Sequence, residues 1–153
     1  MIYKVNLDSS DFYSSLTEPN HSHRIYAIDW SFLPEHKRFK MTFSMVSKKR
    51  TLNGFNAGAN IIRVRCNLGG MFQQNKNGSN NGNNDFIGCI VIKRASDDTN
   101  DNRIKTLPHH NPPTFLPSRP TGNFITVEIV NNNETLNLGL SGSYCMTLFF
   151  EEI

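Results

Sequence analysis

Apolar and polar residues alternate with a period of two in segment after segment of this chain. In Asn123–Val130, Ile125, Val127 and Ile129 share one face, while Thr126 and Glu128 take the other. In Tyr144–Glu151, Tyr144, Met146, Leu148 and Phe150 share a face. Phe39–Val46 has the same rhythm, with Phe39, Met41, Phe43 and Met45 inward and Lys40, Thr42 and Ser44 outward. Ile62, Val64, Cys66 and Leu68 alternate with Arg63, Arg65 and Asn67. Successive side chains on an extended backbone point to opposite faces, so this alternation predicts half-buried strands. Shorter versions occur at Ile2–Leu7, with Tyr3, Val5 and Leu7 on one face, and at Arg24–Trp30, with Tyr26, Ile28 and Trp30 together. Phe86–Arg94 is almost continuously apolar and predicts a central strand covered on both faces. A short strand is predicted at Glu134–Leu138. No segment beyond about ten residues shows the three-and-four spacing of a helix.

The intervening segments are polar. Residues 8–23 and Asp97–Asn102 read as loops, and Ser47–Asn60 is a basic connection rich in Gly and Asn. Gln73–Asp85 is of low complexity and cannot bury apolar area, which predicts a mobile loop. His109–Pro120 holds four of the seven prolines and predicts an extended run anchored by Phe115-Leu116. Eight or nine short strands separated by Gly, Pro and Asn turns mean an all-β domain. The predicted architecture is an eight-stranded antiparallel β-sandwich, two four-stranded sheets in jelly-roll order. It forms a single domain over residues 1–153, a length that one core can serve.

Composition adds a chemical colour. Only 19% of residues are charged, and much of the polarity comes from 20 asparagines. Asn suits turns because it tolerates left-handed backbone; an AT-rich genome would enrich its codons equally well. The charge is unevenly spread. Residues 36–94 hold eleven Lys and Arg against the single acid Asp85, a local +10 within a chain of net +3, which leaves −7 elsewhere. Lys40, Arg63 and Arg65 fall on outward strand positions, and Lys48, Lys49 and Arg50 form a basic turn. These residues, above all Lys48, Lys49, Arg50, Arg63 and Arg65, are the candidate contacts for an acidic neighbouring subunit or for nucleic acid; a solvated basic face is the plain alternative. Aromatic residues are not interleaved with these bases in sequence, which argues against a platform that stacks single-stranded nucleic acid.

Motifs for chemistry are missing. The three cysteines, Cys66, Cys89 and Cys145, lack CxxC spacing and read as buried free thiols of a reducing compartment. His21-x-His23 and His109-His110 fall in predicted loops without an acid or Cys at ligand spacing, so they read as solvated. Asp97–Asn102 resembles a calcium loop but lacks its glycine and its closing Glu. Nucleophile-elbow, phosphate-loop and dinucleotide-binding patterns are all absent from the chain, so no enzyme and no cofactor are expected. Asn20, Asn77 and Asn133 begin glycosylation sequons, which this much Asn produces by chance. The N-terminus carries no apolar signal-like region, and no apolar run approaches the ~18 residues of a membrane span.

Trp30–Pro34 followed by Phe39–Ser47, then Pro112–Phe115, Gly122–Ile129 and the closing Tyr144–Phe150, resemble the strand rhythm of jelly-roll capsid proteins. The likeness is to small capsid proteins of large double-stranded DNA viruses, virophages and related mobile elements. Major capsid proteins of that group carry two jelly rolls per chain. An ending at Ile153, on the last strand of one jelly roll, points instead to a penton or a minor capsid protein. The resemblance implies a virion location after synthesis in host cytoplasm. Its partners would be other capsid proteins, including copies of itself in a homopentamer at the five-fold vertex. The rivals are a carbohydrate- or ligand-binding β-sandwich, a tumour-necrosis-factor-like trimer, and a nucleic-acid-binding protein using residues 36–94. The carbohydrate reading needs exposed aromatics beside Asn or Asp, and Trp30 with a few Tyr and Phe are its candidates.

Overall fold

The computed structural model describes residues 1–16, 21–47, 61–69, 86–91, 105–130 and 143–153. The strands are β1 (Ile2–Asp8), β2 (His23–Ala27), β3 (Phe39–Ser47), β4 (Ile61–Cys66), β5 (Phe86–Val91), β6 (Lys105–Thr106), β7 (Thr114–Leu116), β8 (Phe124–Val130) and β9 (Tyr144–Glu152). They form two antiparallel sheets. One runs β1-β9-β3, with β6 and β7 both paired to β3; the other runs β2-β8-β4-β5. β6 meets β3 at Met45 and β7 meets it at Met41, so the two occupy one strand position interrupted by residues 107–113. Eight strand positions result among the described residues, four to a sheet. The chain changes sheet at every connection except β4 to β5 and β6 to β7. This is the jelly roll that the sequence predicts.

The inward residues of both sheets build one core. Phe39, Met41, Phe43 and Met45 of β3 and Tyr144, Met146, Leu148 and Phe150 of β9 meet Ile62, Val64 and Cys66 of β4 and Ile125, Val127 and Ile129 of β8. Period-two alternation therefore translates directly into the two facing layers of the sandwich. Trp30 is buried as well, but in a short 3-10 turn, Trp30–Phe32, rather than in a strand. β2 stops at Ala27, and Asp29 caps that turn by accepting the Ser31 N–H at 2.9 Å.

Several expectations are corrected. Among the described residues β5 is an edge strand and not a central one. Its apolar run arises because Phe86 is buried on the outer face while Ile87 and Ile90 are buried in the core. Between Val64 and Arg65 the β4–β5 register shifts, so that Arg65 faces Phe86 and the extra residue, Ile87, turns inward. His109–Pro120 begins inside a 3-10 turn, Pro108–His110, and contains β7. Within the predicted anchor only Leu116 is buried, while Phe115 is 55% exposed. The strand at 62–68 ends at Cys66 and gives way to a 3-10 turn, Asn67–Gly69. All three thiols are free, but only Cys66 is buried; Cys89 and Cys145 are exposed. The strand predicted at Glu134–Leu138, the loop Gln73–Asp85, the acidic loop at 97–102 and the asparagines of the three sequons lie outside the described residues.

Candidate functional site

β4 sends Ile62, Val64 and Cys66 into the core, so Arg63 and Arg65 project from the outer face of the four-stranded sheet. The register then fixes their neighbours. Arg65 lies between Glu128 of β8 and Phe86 of β5, and Glu128 faces His23 of β2. One row, His23–Glu128–Arg65–Phe86, crosses the whole sheet. Arg65 Nη1 is 3.1 Å from Glu128 Oε2, and His23 Nε2 is 3.5 Å from Glu128 Oε1. Both guanidinium groups flank the Phe86 ring, Arg63 at 5.4 Å and Arg65 at 5.6 Å from its centroid. Such stacking is worth roughly 0.5–1 kcal/mol at a partly exposed site. It also shelters Phe86, which is 6% exposed despite facing outward. The bases are therefore interleaved with an aromatic ring in space, contrary to the reading from sequence order. Folding brings Phe86 to them through strand pairing.

His23 opens β2 and is buried, not solvated in a loop. Its Nδ1 accepts the Leu16 N–H at 3.2 Å, which leaves the ring proton on Nε2, facing Glu128. Burial pushes its pKa below the usual value of 6.5; Glu128 opposes that shift and Arg24 adds to it. Arg24 itself points inward and is 1% exposed. Its Nε donates to Ser9 O at 2.8 Å and its Nη1 to Ser15 Oγ at 2.6 Å, with the Phe12 ring 4.1 Å from the guanidinium carbon. Ser9 Oγ lies 2.8 Å from His21 Nδ1, the spacing of a serine–histidine dyad. Ser9, however, is fully buried and its Oγ accepts the Tyr144 N–H at 2.8 Å. The pair therefore ties the segment after β1 to β9. Tyr26 and Tyr144 meet hydroxyl to hydroxyl at 3.4 Å in the same interior; burial pushes Tyr26 up to about 12 and Tyr144 upward as well.

Residues 107–113 arch between β6 and β7 and close the seam between the sheets. The Asn111 amide accepts the Cys89 N–H at 2.8 Å and donates to Cys89 O at 3.0 Å, imitating a strand partner for β5. On one side of the arch is a groove of about 250 Å³ bounded by Arg63, Phe86, Gly88, Cys89, Asn111 and Pro112. On the other is an open groove of about 620 Å³, floored by Lys40, Thr42 and Glu151 and walled by His109 and His110. Lys40 Nζ is 2.7 Å from Glu151, and that hydrogen bond lowers the Glu151 pKa.

Of the five candidate contacts, Arg63 and Arg65 are thus brought together, with Arg65 committed to Glu128. Lys48, Lys49 and Arg50 lie outside the described residues. Trp30 is in the core and presents no ligand platform. Other aromatics are exposed instead, among them Phe32, Phe115, and Tyr13 (68%) and Phe124 (41%), whose rings are 5.0 Å apart. Among the described residues no group of three His, Cys, Asp or Glu side chains is placed to hold a metal, and no helix is long and apolar enough to cross a membrane. Compared with family models, the chain matches none, and no curated protein is similar to it.

Proposed function

We propose that this chain is a structural virion protein, a single jelly-roll capsid subunit that works by assembling with copies of itself and with other capsid proteins. The observation that carries the reading is the strand order, β1-β9-β3-β6/β7 packed on β2-β8-β4-β5. It is the order that the resemblance to small capsid proteins of large double-stranded DNA viruses calls for. Jelly rolls serve other functions too, so assembly behaviour is what discriminates. In the penton role the chain forms a ring of five at a vertex; as a minor capsid protein it sits between larger capsomers. The sandwich supplies a rigid wedge, and the connections at Thr51–Asn60 and His109–Pro120 meet the neighbours. The proline-rich one loses less chain entropy on docking. The basic segment 36–94 contacts an acidic neighbour or packaged nucleic acid.

Native mass spectrometry of the full chain, together with protein identification in purified particles, tests this. A ring of five and presence in the particle are expected. A strictly monomeric species at high concentration, absent from any particle, overturns it. The exposed Tyr13–Phe124 pair favours one rival, a ligand-binding β-sandwich. Saccharide binding that is lost in Tyr13→Ala, in a chain that never assembles, would favour that rival.

A further inference from the structure

We propose that Tyr13 and Phe124 form a stacking site for a neutral saccharide on the outer face of the four-stranded sheet. Single apolar residues at a surface are ordinary, but two exposed rings in contact make a patch that calls for a partner. The Tyr13 and Phe124 planes are inclined at 45° with their centroids 5.0 Å apart. Exposed Phe32, by contrast, stacks on Trp30 and serves as cover for that core residue. Both rings of the pair are held from behind. Phe124 opens β8, and the next residue, Ile125, is in the core, so the Phe124 side chain goes outward. Tyr13 lies on the strap before β2. Its N–H donates to Ile25 O at 2.7 Å, and Ile25 N donates to Ser14 O at 2.8 Å. On its other side, Phe12 packs against the core and against the Arg24 guanidinium. A site ordered in advance loses little entropy on binding.

The surroundings choose the ligand. A pyranose with equatorial hydroxyls shows only C–H groups on its faces, and those weakly positive hydrogens suit the electron-rich face of an aromatic ring. Its hydroxyls project around the rim and are met by neutral donors and acceptors. Asn67 supplies such a group. Its amide donates to Phe124 O at 3.0 Å and accepts the Thr126 N–H at 3.1 Å, so it is fixed beside the ring with a second N–H left over. Asn123, exposed and next to Phe124 in the chain, and the Tyr13 hydroxyl add two more. The face around the rings is uncharged. Ala27 lies across the ladder from Phe124, and the next pair on that face is Ile25 with Thr126. The first charged residue along β8 is Glu128, and it pairs with Arg65 at 3.1 Å. On the strap, the charge closest to Tyr13 in the chain is an acid, Asp11, which repels phosphate. Neutral sugars are therefore favoured over acidic glycans and nucleic acid. The site does not depend on the virion reading.

An array of neutral and acidic glycans, followed by titration of the full chain with the best neutral oligosaccharide and with oligothymidylate, tests this. Binding of a neutral, hexose-based glycan is expected. It should hold between about 50 and 200 mM salt, a range over which phosphate contacts weaken steeply. Tyr13→Ala and Phe124→Ala should each weaken it by about tenfold, the equivalent of one aromatic contact. Neither should move the melting temperature, since neither ring belongs to the core. Tyr13→Trp should retain binding, and Phe115→Ala, which removes an exposed ring from the other sheet, should leave it untouched. An array without a neutral hit, binding that survives both alanine variants at the pair, or loss of binding in Phe115→Ala overturns the proposal. Binding confined to acidic glycans or to oligothymidylate overturns it as well. A ring of five that binds no saccharide overturns it too, yet leaves the virion reading standing. A saccharide-binding chain that never assembles supports it and counts against the virion reading.

Discussion

His23 is held neutral by where its protons can go. Nδ1 accepts the Leu16 N–H, so a second proton would have to displace that bond inside a buried site. The unfolded chain carries no such restraint and titrates near 6.5, whereas the folded value lies lower. As pH falls from about 6.5 toward the folded value, the unfolded state takes up a proton that the folded state refuses, and stability drops. Urea midpoints measured from pH 7.5 to 5 should fall on acidification, and His23→Asn should flatten the slope. An unchanged slope in that variant would remove His23 as the cause. The inward face of β2 was legible at Tyr26, although nothing in the sequence marks Arg24, two residues before it, as buried. The burial of His23 was not legible either: it faces outward, and its cover comes from Leu16 and Glu128, neither of which periodicity can bring to it.

At the level of elements, the informative one is β5. Its apolar run suggested a central strand, because sequence cannot separate burial by a second sheet from burial under two arginine side chains. A register shift and a paired amide produce the second outcome. Gly88 sits where both act. A Cβ there would lie 2.5 Å from Asn111 Cγ and 2.8 Å from Phe43 Cε1. Gly88→Ala should therefore cost about 1–3 kcal/mol, as overpacking generally does, measured as a shift in the urea midpoint. Combining it with Asn111→Ala should cost less than the sum of the two single changes, because the second removes one of the clashing groups. Strict additivity would mean that Asn111 is not what the new methyl meets. By contrast, β3, β8 and β9 were legible almost to the residue. Each has one face on the core and one face outward, the condition under which a period of two is informative.

The molecule as a whole follows from pairing that is mostly distant in sequence. Alternation predicted the strands, and the jelly-roll order came from their number and spacing, but no local signal says that β1 lies against β9. Both sheets contribute to one core, which should make unfolding cooperative. Trp30 reports on that core: it meets Phe150 edge-on at 5.6 Å and stacks on Phe32 at 6.2 Å. Loss of its buried emission and loss of the far-ultraviolet β signal should coincide in denaturant. Separate transitions would mean that the two sheets come apart in stages. The pairing of β1 with β9 has a mechanical side as well. Met1 and Glu152 face each other at one end of that ladder, joined by a backbone bond and by an ion pair at 3.9 Å. Tension applied between these two ends loads the rungs one after another, like a zipper pulled from its open end. The sandwich is thus weakest along the line joining its termini, and load carried across the strands elsewhere is shared among many rungs.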